Sequence, residues 1–227
     1  SNAASVAEWW LSALLAEVAR PVTGLRLGVV GVGHVGSRIA ALGAALGMEV
    51  SWCDPPRSEA EPDFSSTSLD ELLPEVDVLT LHTPLVRDGA HPTLGLLDAA
   101  RLQRLRSRAI LLNCARGELV DGAAAIAAVQ QNSLRLLFYV FPGEPRPDPA
   151  LIAACRLATA HIAGHSLDGK LAGTLMIYRA ACAFLGVPAP WRPAPPVAQP
   201  SQIILDPTDR TDEELLLTLA RLRYELR

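Results

Sequence analysis

Residues 25–57 read LRLGVVGVGHVGSRIAALGAALGMEVSWCDPPR, and this stretch decides the fold. Its first part, residues 27–32, is apolar and rich in valine, which is typical of a buried parallel strand. Apolar residues then recur at helical spacing up to Gly47, and a second apolar strand at 48–53 ends at Asp54. The stretch therefore predicts an α/β fold: a Rossmann-type, doubly wound parallel sheet.

The turn between the first strand and the helix has the pattern G-x-G-x-x-G. The glycines have separate tasks: one allows a tight turn, one lets backbone N–H groups approach a diphosphate, and one lets the helix lie close to the strand. The helix N-terminus adds partial positive charge and free N–H donors. The predicted dinucleotide-binding turn consists of Gly31, Gly33, His34, Val35 and Gly36.

Asp54 closes the second predicted strand, where a carboxylate accepts hydrogen bonds from the adenosine ribose hydroxyls. A 2′-phosphate would be repelled there, so the sequence favours NAD over NADP. The alternative is a βαβ unit with a glycine-rich turn and no nucleotide. Strand, turn, helix, strand and terminal acid in this order favour the nucleotide.

Length and charge limit the classes of protein that fit. The 227 residues suffice for one large domain, or for one domain and part of a second. The formal net charge of −4 predicts no nucleic-acid or anionic-membrane partner. No metal site is predicted, because the cysteines lack ligand spacing; they are interpreted as reduced thiols of a cytoplasmic protein. They are Cys53, Cys114, Cys155 and Cys182.

Composition divides the chain into four segments. These are a remnant of tag cleavage at 1–3, an NAD-binding domain at 4–186, a proline-rich linker at 187–200 and a strand–helix extension at 201–227. The domain opens with a predicted helix whose Trp9 and Trp10 we expect in the core rather than against a ligand. One strand and one helix cannot bury a core of their own, so the extension must dock elsewhere or join an oligomer interface.

Three residues that can do chemistry follow predicted strands of the same sheet. They are Arg116 after the strand at 109–113, Glu144 after the strand at 134–141, and His161 after the strand at 157–160. Open α/β sheets bind ligands at the carboxyl ends of their strands, so we expect these side chains to converge. Taken singly, each residue is more often structural.

A guanidinium, a carboxylate and an imidazole near a nicotinamide suit hydride transfer to or from a 2-hydroxy acid. The arginine would bind the substrate carboxylate through two parallel hydrogen bonds. The histidine would exchange the proton of the C2 hydroxyl, and the glutamate would orient the imidazole and stabilise its protonated form.

Several runs of residues resemble one known family. They are GVVGVGHVGSRIA, CDPPR, DVLTLHTPL, ILLNCARGELVD, GEP and AHIAGHSLDGK. Over about residues 4–186 the chain resembles the D-isomer-specific 2-hydroxyacid dehydrogenases. The resemblance implies that Arg116, Glu144 and His161 are catalytic, with His161 as the proton donor. The NAD contacts that it implies, besides the glycine-rich turn, are Asp54, Thr83, Cys114, Ala115, Tyr139 and Gly164.

Three departures from the family pattern accompany this resemblance. The family's substrate domain precedes the NAD-binding domain, whereas this sequence begins at the joining helix, so we expect NAD binding but little turnover. Tyr139 replaces an aspartate that the family places on the fifth strand near the nicotinamide. His165 replaces an aromatic residue that touches the substrate, and it is predicted, with Arg116, to contact substrate.

The runs CDPPR and HTPL, with HIAG followed by L-x-G-K, point to a subfamily that acts on a phosphorylated 2-hydroxy acid and forms homodimers. Another dehydrogenase of the family, of the phosphoglycerate, lactate or glyoxylate type, is an alternative. A non-catalytic NAD-binding protein with a decayed site is a third interpretation, which Tyr139 supports.

Overall fold

A computed structural model of the chain describes residues 2–18, 21–194 and 204–223. Its strands are β1 Arg26–Val30, β2 Glu49–Cys53, β3 Val78–Leu81, β4 Ile110–Asn113, β5 Arg135–Phe138 and β6 Leu157–Ala158. They form one sheet in the order β2-β1-β3-β4-β5-β6, and all neighbouring strands are parallel. The predicted α/β doubly wound sheet is confirmed.

Helices connect the strands and flank the sheet. They are α1 Ala3–Glu17, α2 His34–Ala45, α3 Pro55–Ala60, α4 Leu69–Leu72, α5 Ala99–Arg104, α6 Gly122–Asn132, α7 Pro149–Ala154, α8 Leu167–Leu185 and α9 Asp212–Arg223. Short 3-10 turns lie at Gly117–Leu119 and Ala163–His165. None of the described helices is both long and apolar enough to cross a membrane.

Side chains alternate between the two faces of the sheet and so build two cores. In β4, Ile110 and Leu112 belong to the core that α1 and α2 cover, whereas Leu111 belongs to the core on the other face. Helices α4 to α7 supply the second core. Because both faces are covered, the central strands read as continuous apolar runs.

Helix α1 packs on the sheet through its two tryptophans. Trp9 and Trp10 are fully buried, which confirms the prediction that they belong to the core. The helix begins at Ala3, and the Asn2 side chain donates a 2.6 Å hydrogen bond to the Gly164 carbonyl oxygen. Two of the residues set aside as a tag remnant therefore contribute to this part of the fold.

Residues 55–67 are rich in proline, serine and glutamate, a composition that predicts a loop, but the structure has helix α3 at Pro55–Ala60. The Asp54 carboxylate caps this helix by accepting the Arg57 backbone N–H, and Pro55 and Pro56 occupy the first turn. Prolines suit that position because its N–H groups have no partner within the helix.

The C-terminal extension docks on helix α1, and its helix α9 makes the contact. This agrees with the expectation that so small an extension cannot bury a core of its own. Leu216 packs against the core that contains the tryptophans. The sequence of residues 202–205 in this extension predicts a strand, but Ile204 and Leu205 lie in no strand, and residues 202 and 203 lie outside the described part of the chain. Residues 195–200 of the predicted linker also lie outside it.

We expect Trp10→Ala to lower the free energy of unfolding by about 3–5 kcal/mol, because it removes a fully buried indole. Glu8→Ala, on the exposed face of the same helix, is the matched control and should change it little. Urea unfolding followed by circular dichroism measures both. Equal stabilities would show that α1 does not hold the sheet.

Candidate active site

The strand order of the sheet reverses between β1 and β3, and we call the carboxyl edge at this place the crevice. Gly31 follows β1, and Thr83 follows β3 by two residues. Gly31 has φ +85°, and a Cβ there would lie 2.7 Å from the Thr83 methyl carbon. Ligands of open α/β sheets bind at such reversal points. The glycine thus keeps the two strand ends in contact where a ligand is expected.

The glycine-rich turn adopts the geometry that the sequence predicts. A Cβ on Gly36 would collide with the Gly31 carbonyl oxygen, so only glycine lets α2 approach the strand this closely. Around Gly33, by contrast, the space for a Cβ is open. Gly33 is the N-cap of α2, and no described side chain caps the helix. The exposed N-terminus of α2, with His34 and Val35 in its first turn, therefore offers free N–H donors.

Asp54 lies at the end of β2 beside this turn. One carboxylate oxygen accepts the Val32 N–H at 2.7 Å, and the other accepts the Arg57 N–H at 3.1 Å. Each carboxylate oxygen can accept a further bond, so both remain available to ribose hydroxyls. The sequence predicted the ribose contact but missed this role of Asp54 in holding the turn.

Polar atoms without partners lie next to the crevice at the end of β3. Thr83 Oγ1 and His82 Nδ1 are shielded from solvent, and no described group hydrogen-bonds to either. His82 Nε2 lies 2.8 Å from Thr80 Oγ1, and burial lowers the pKa of His82 to about 3. Buried polar atoms normally have partners. The Thr83 hydroxyl is therefore available to a polar ligand in the crevice.

Glu144 and His161 form a hydrogen-bonded pair. His161 Nδ1 lies 3.1 Å from Glu144 Oε2, and both side chains are about one-third exposed, at 36% and 37%. The other carboxylate oxygen of Glu144 accepts the Phe141 N–H at 2.9 Å, which fixes the carboxylate. A carboxylate accepts only, so the pair places the imidazole proton on Nδ1 and leaves Nε2 as a base.

Tyr139 lies directly after β5, whereas the sequence placed it within the strand. The residue is buried, and its hydroxyl donates to the Cys114 carbonyl oxygen at 3.0 Å. Its ring lies 5.3 Å from the His161 ring and 4.8 Å from the Trp9 ring, edge to face. Tyr139 thus connects α1, the end of β4 and the histidine.

Arg116 follows β4, and its side chain is exposed. Its guanidinium donates to the Ala115 carbonyl oxygen at 2.6 Å. The next residue, Gly117, packs so closely against the loop that leads to Glu144 that a Cβ would overlap the Phe141 carbonyl group. The loops that carry Arg116 and Glu144 are therefore in contact. The sequence shows the glycine, but it does not show that Phe141 packs against it.

The remaining candidate residues lie after β6. Gly164 and His165 form the 3-10 turn that follows His161, and His165 is exposed. His165 Nδ1 lies 3.1 Å from the His161 carbonyl oxygen. Thr159, which the sequence did not single out, accepts a hydrogen bond from Trp9 Nε1 at 3.1 Å and so links α1 to this segment.

Three independent features of the described residues show that the crevice suits a dinucleotide. The α2 N-terminus is uncapped beside open space at Gly33, the Asp54 carboxylate lies at the end of β2, and the buried Thr83 hydroxyl lacks a partner. A diphosphate, a ribose and a further polar group have complementary chemistry to these features.

A family model described as "D-isomer specific 2-hydroxyacid dehydrogenase, NAD binding domain" matches residues 2–163. The chain belongs to this family. The match confirms the resemblance seen in the sequence motifs, and it covers the whole parallel sheet. The cofactor of this domain is NAD.

Curated relatives in the family include two that illustrate the range of similarity. Erythronate-4-phosphate dehydrogenase of Pseudomonas aeruginosa is 47% identical over 192 residues, which are 82% of this chain and 50% of that protein. The enzyme of the same name from Shewanella loihica is 41% identical over 231 residues, with 100% of this chain and 61% of that protein covered. The chain thus spans about half to three-fifths of these relatives.

Solved structures show the same fold. D-lactate dehydrogenase from Aquifex aeolicus, complexed with NAD and lactic acid, is 30% identical with a TM-score of 0.62, and 74% of this chain and 56% of that chain are covered. The TT0316 protein from Thermus thermophilus is 28% identical with a TM-score of 0.65, and 83% of this chain and 68% of that chain are covered.

We expect the stability of the protein to fall as the pH drops below 6.5, in part because of His82. An unfolded histidine binds a proton near pH 6.5, whereas His82 in the folded protein does so only near pH 3. Between these values its contribution falls by at most about 1.4 kcal/mol per pH unit. Above pH 6.5 it is constant, because both states are neutral.

Urea unfolding at pH 7, 6 and 5 measures this dependence. His82→Gln should show a shallower loss than the original protein, and His91→Gln, at an exposed ion pair with Glu59, should not. The same slope for His82→Gln and the original protein would contradict the assignment.

Proposed function

We propose that the protein is an NAD-dependent dehydrogenase that oxidises the C2 hydroxyl of a phosphorylated 2-hydroxy acid, 4-phospho-D-erythronate. This reaction would serve pyridoxal phosphate biosynthesis in the cytoplasm. The relatives named erythronate-4-phosphate dehydrogenase, at 41–47% identity, support the substrate. The observation that carries the chemistry is the Glu144–His161 pair beside the carboxyl edge of the sheet.

His161 is the proposed acid–base residue. When bound, NAD⁺ supplies the acceptor for the hydride that leaves C2. His161 Nε2 takes the proton of the C2 hydroxyl, because Nδ1 is engaged by Glu144. Glu144 holds the ring in place and balances the charge of the imidazolium, while the Phe141 N–H holds Glu144.

Arg116 is the proposed substrate-binding residue. Its exposed guanidinium has the planar donor set that binds a carboxylate through two parallel hydrogen bonds. A cation beside C2 also polarises the C2 oxygen. His165, exposed in the turn after His161, is proposed to contact the same substrate.

The crevice residues are proposed to hold the cofactor in three groups. The turn from Gly31 to Gly36 binds the diphosphate, Asp54 binds the adenosine ribose, and Thr83 adds a polar contact. The residues proposed to lie near the nicotinamide are Cys114, Ala115, Tyr139 and Gly164.

The chain alone is proposed to bind NAD but to turn over little substrate, because it spans only about half to three-fifths of the relatives. We also propose a homodimer. Helix α8 supports this proposal, since the apolar residues Met176, Ile177 and Phe184 on it are 68%, 74% and 90% exposed. Large exposed apolar groups on one helix are typical of surfaces that bind another protein.

We expect Asp54→Ala to change the preference of the protein between NADH and NADPH. The NADH affinity should fall roughly tenfold or more, whereas NADPH, relieved of the charge, should lose less. Calorimetric titration of both cofactors gives the ratio. The exposed Asp63→Ala is the matched control. An unchanged ratio would contradict the ribose contact, even if both affinities fell with the loss of the Asp54–Val32 bond.

We expect His161→Ala to reduce turnover by roughly 10²–10⁴-fold in a form of the protein as long as the relatives, while NADH binding is retained. His91→Ala removes a histidine from a comparable surface pair with Glu59 and should leave the rate unchanged. An undiminished rate in His161→Ala would assign the proton transfer to another residue.

Tyr139 favours a second candidate, a non-catalytic NAD-binding protein. Its buried hydroxyl donates to the Cys114 carbonyl oxygen, and no carboxylate stands at this position, where the family pattern has an aspartate. A substrate panel on the longer form separates the candidates. NADH binding without turnover on any 2-hydroxy acid supports the second, and turnover of a phosphoglycerate, lactate or glyoxylate substrate instead assigns another enzyme of the family.

A further inference from the structure

Arginines collect at the amino edge of the sheet, opposite the crevice. Arg26 and Arg135 are the first residues of β1 and β5, and Arg156 directly precedes β6. Arg106 and Arg108 lie in the turn that leads into β4. The protein as a whole is acidic, with a net charge of −4, so this concentration of positive charge is a local feature.

A cleft of about 380 Å³ lies between several of these arginines, and we call it the amino-edge cleft. Arg106, Arg108 and Arg135 line it, and Asp77 is its one acidic lining residue among those described. The first residues of β3 and β4, Val78 and Ile110, also line it, and they are paired in the sheet. Its volume is within the range of small-molecule sites.

The counter-charges at this edge are already engaged. Asp77 pairs with Arg106 at 3.2 Å and accepts the Arg26 backbone N–H at 3.0 Å. Glu17 pairs with Arg135 at 3.6 Å and with Arg156 at 3.4 Å. Arg108 is different: within the described residues its guanidinium has no ion-pair or hydrogen-bond partner.

The backbone of Arg108 is held in an unusual conformation. Its φ of +65° lies in the left-handed region, which a glycine adopts at lower cost. Its N–H donates to the Asn132 carbonyl oxygen, and its own carbonyl oxygen accepts a 3.0 Å bond from Arg135 Nε. An arginine thus occupies a strained backbone position beside a cleft. Strained residues concentrate at functional sites, so this arginine is a candidate ligand-binding residue.

We propose that the amino-edge cleft binds a small phosphate-bearing metabolite, with Arg108 as its main ligand and Arg106 and Arg135 beside it. Guanidinium groups match phosphate oxygens through parallel hydrogen bonds, and one unpaired arginine among partly paired ones leaves net positive charge for an anion. Val18 and Leu25 provide an apolar wall for the rest of the ligand. The site is separate from the NAD crevice and does not depend on the proposed function.

Calorimetric titration of the chain with inorganic pyrophosphate tests the site, with NADH present at saturation to fill the crevice. We expect one pyrophosphate per chain, bound more tightly than malonate. Absence of saturable binding in the presence of NADH would overturn the proposal. Binding that is seen only when NADH is left out would show that pyrophosphate occupies the α2 N-terminus instead, and it would overturn the proposal as well. Equal binding of malonate would overturn the assignment to phosphate.

Arg108→Gly separates binding from folding, because glycine accepts the observed φ without strain. We expect this variant to be at least as stable as the original protein and to bind pyrophosphate roughly tenfold more weakly or worse. Arg179→Ala removes an exposed arginine from α8 and should bind like the original. Undiminished pyrophosphate affinity in Arg108→Gly would refute the role of Arg108. An equal loss of affinity in Arg179→Ala would show that net charge, not a specific contact of Arg108, sets the affinity.

Discussion

The contact between Gly36 and the carbonyl oxygen of Gly31 is the constraint on which the site depends. A side chain at Gly36 would push α2 away from β1, and the helix N-terminus would leave the sheet edge. Because the contact is made, the uncapped turn of α2 and the Asp54 carboxylate lie side by side at the strand reversal. Helix dipole and free N–H groups there favour an anion.

A second set of contacts connects α1 to the candidate catalytic pair. The Trp9 indole packs against the Tyr139 ring, which lies against His161, and His161 is bonded to Glu144. The Trp9 N–H also binds the Thr159 hydroxyl, two residues before His161. The position of the His161 imidazole therefore depends on Trp9, a buried residue of helix α1. Packing of α1 on the sheet thus helps to orient the candidate catalytic histidine.

The sequence predicted the parts of the fold that are encoded locally. Strand, turn and helix around Gly31 follow from apolar spacing and glycine positions. The spacing S-x-x-E from Ser68 to Glu71 likewise predicts a capping box, which the structure contains. Helix α3 was missed because Pro55 and Pro56 suit both a loop and a first helical turn, and only the Asp54 cap distinguishes them. An aspartate followed by proline is itself a helix-start pattern, so this helix could have been predicted from the sequence.

Long-range contacts were the least predictable. The fit of Gly117 against Phe141 and the bond from Tyr139 to Cys114 join residues from different strand ends. The arginines of the amino-edge cleft are spread along the sequence and meet only because β3, β4 and β5 are neighbours. Strand order comes from the packing of whole layers, so no local pattern reports it.

Backbone amide NMR of the chain during a titration with NADH tests the central claim, that a dinucleotide lies across the carboxyl ends of β1, β2 and β3. The account predicts that the resonances of Gly33, His34, Val35 and Thr83 shift together with one affinity, while those of the amino-edge residues stay in place. Shifts confined to other surfaces, or none at millimolar NADH, would contradict it.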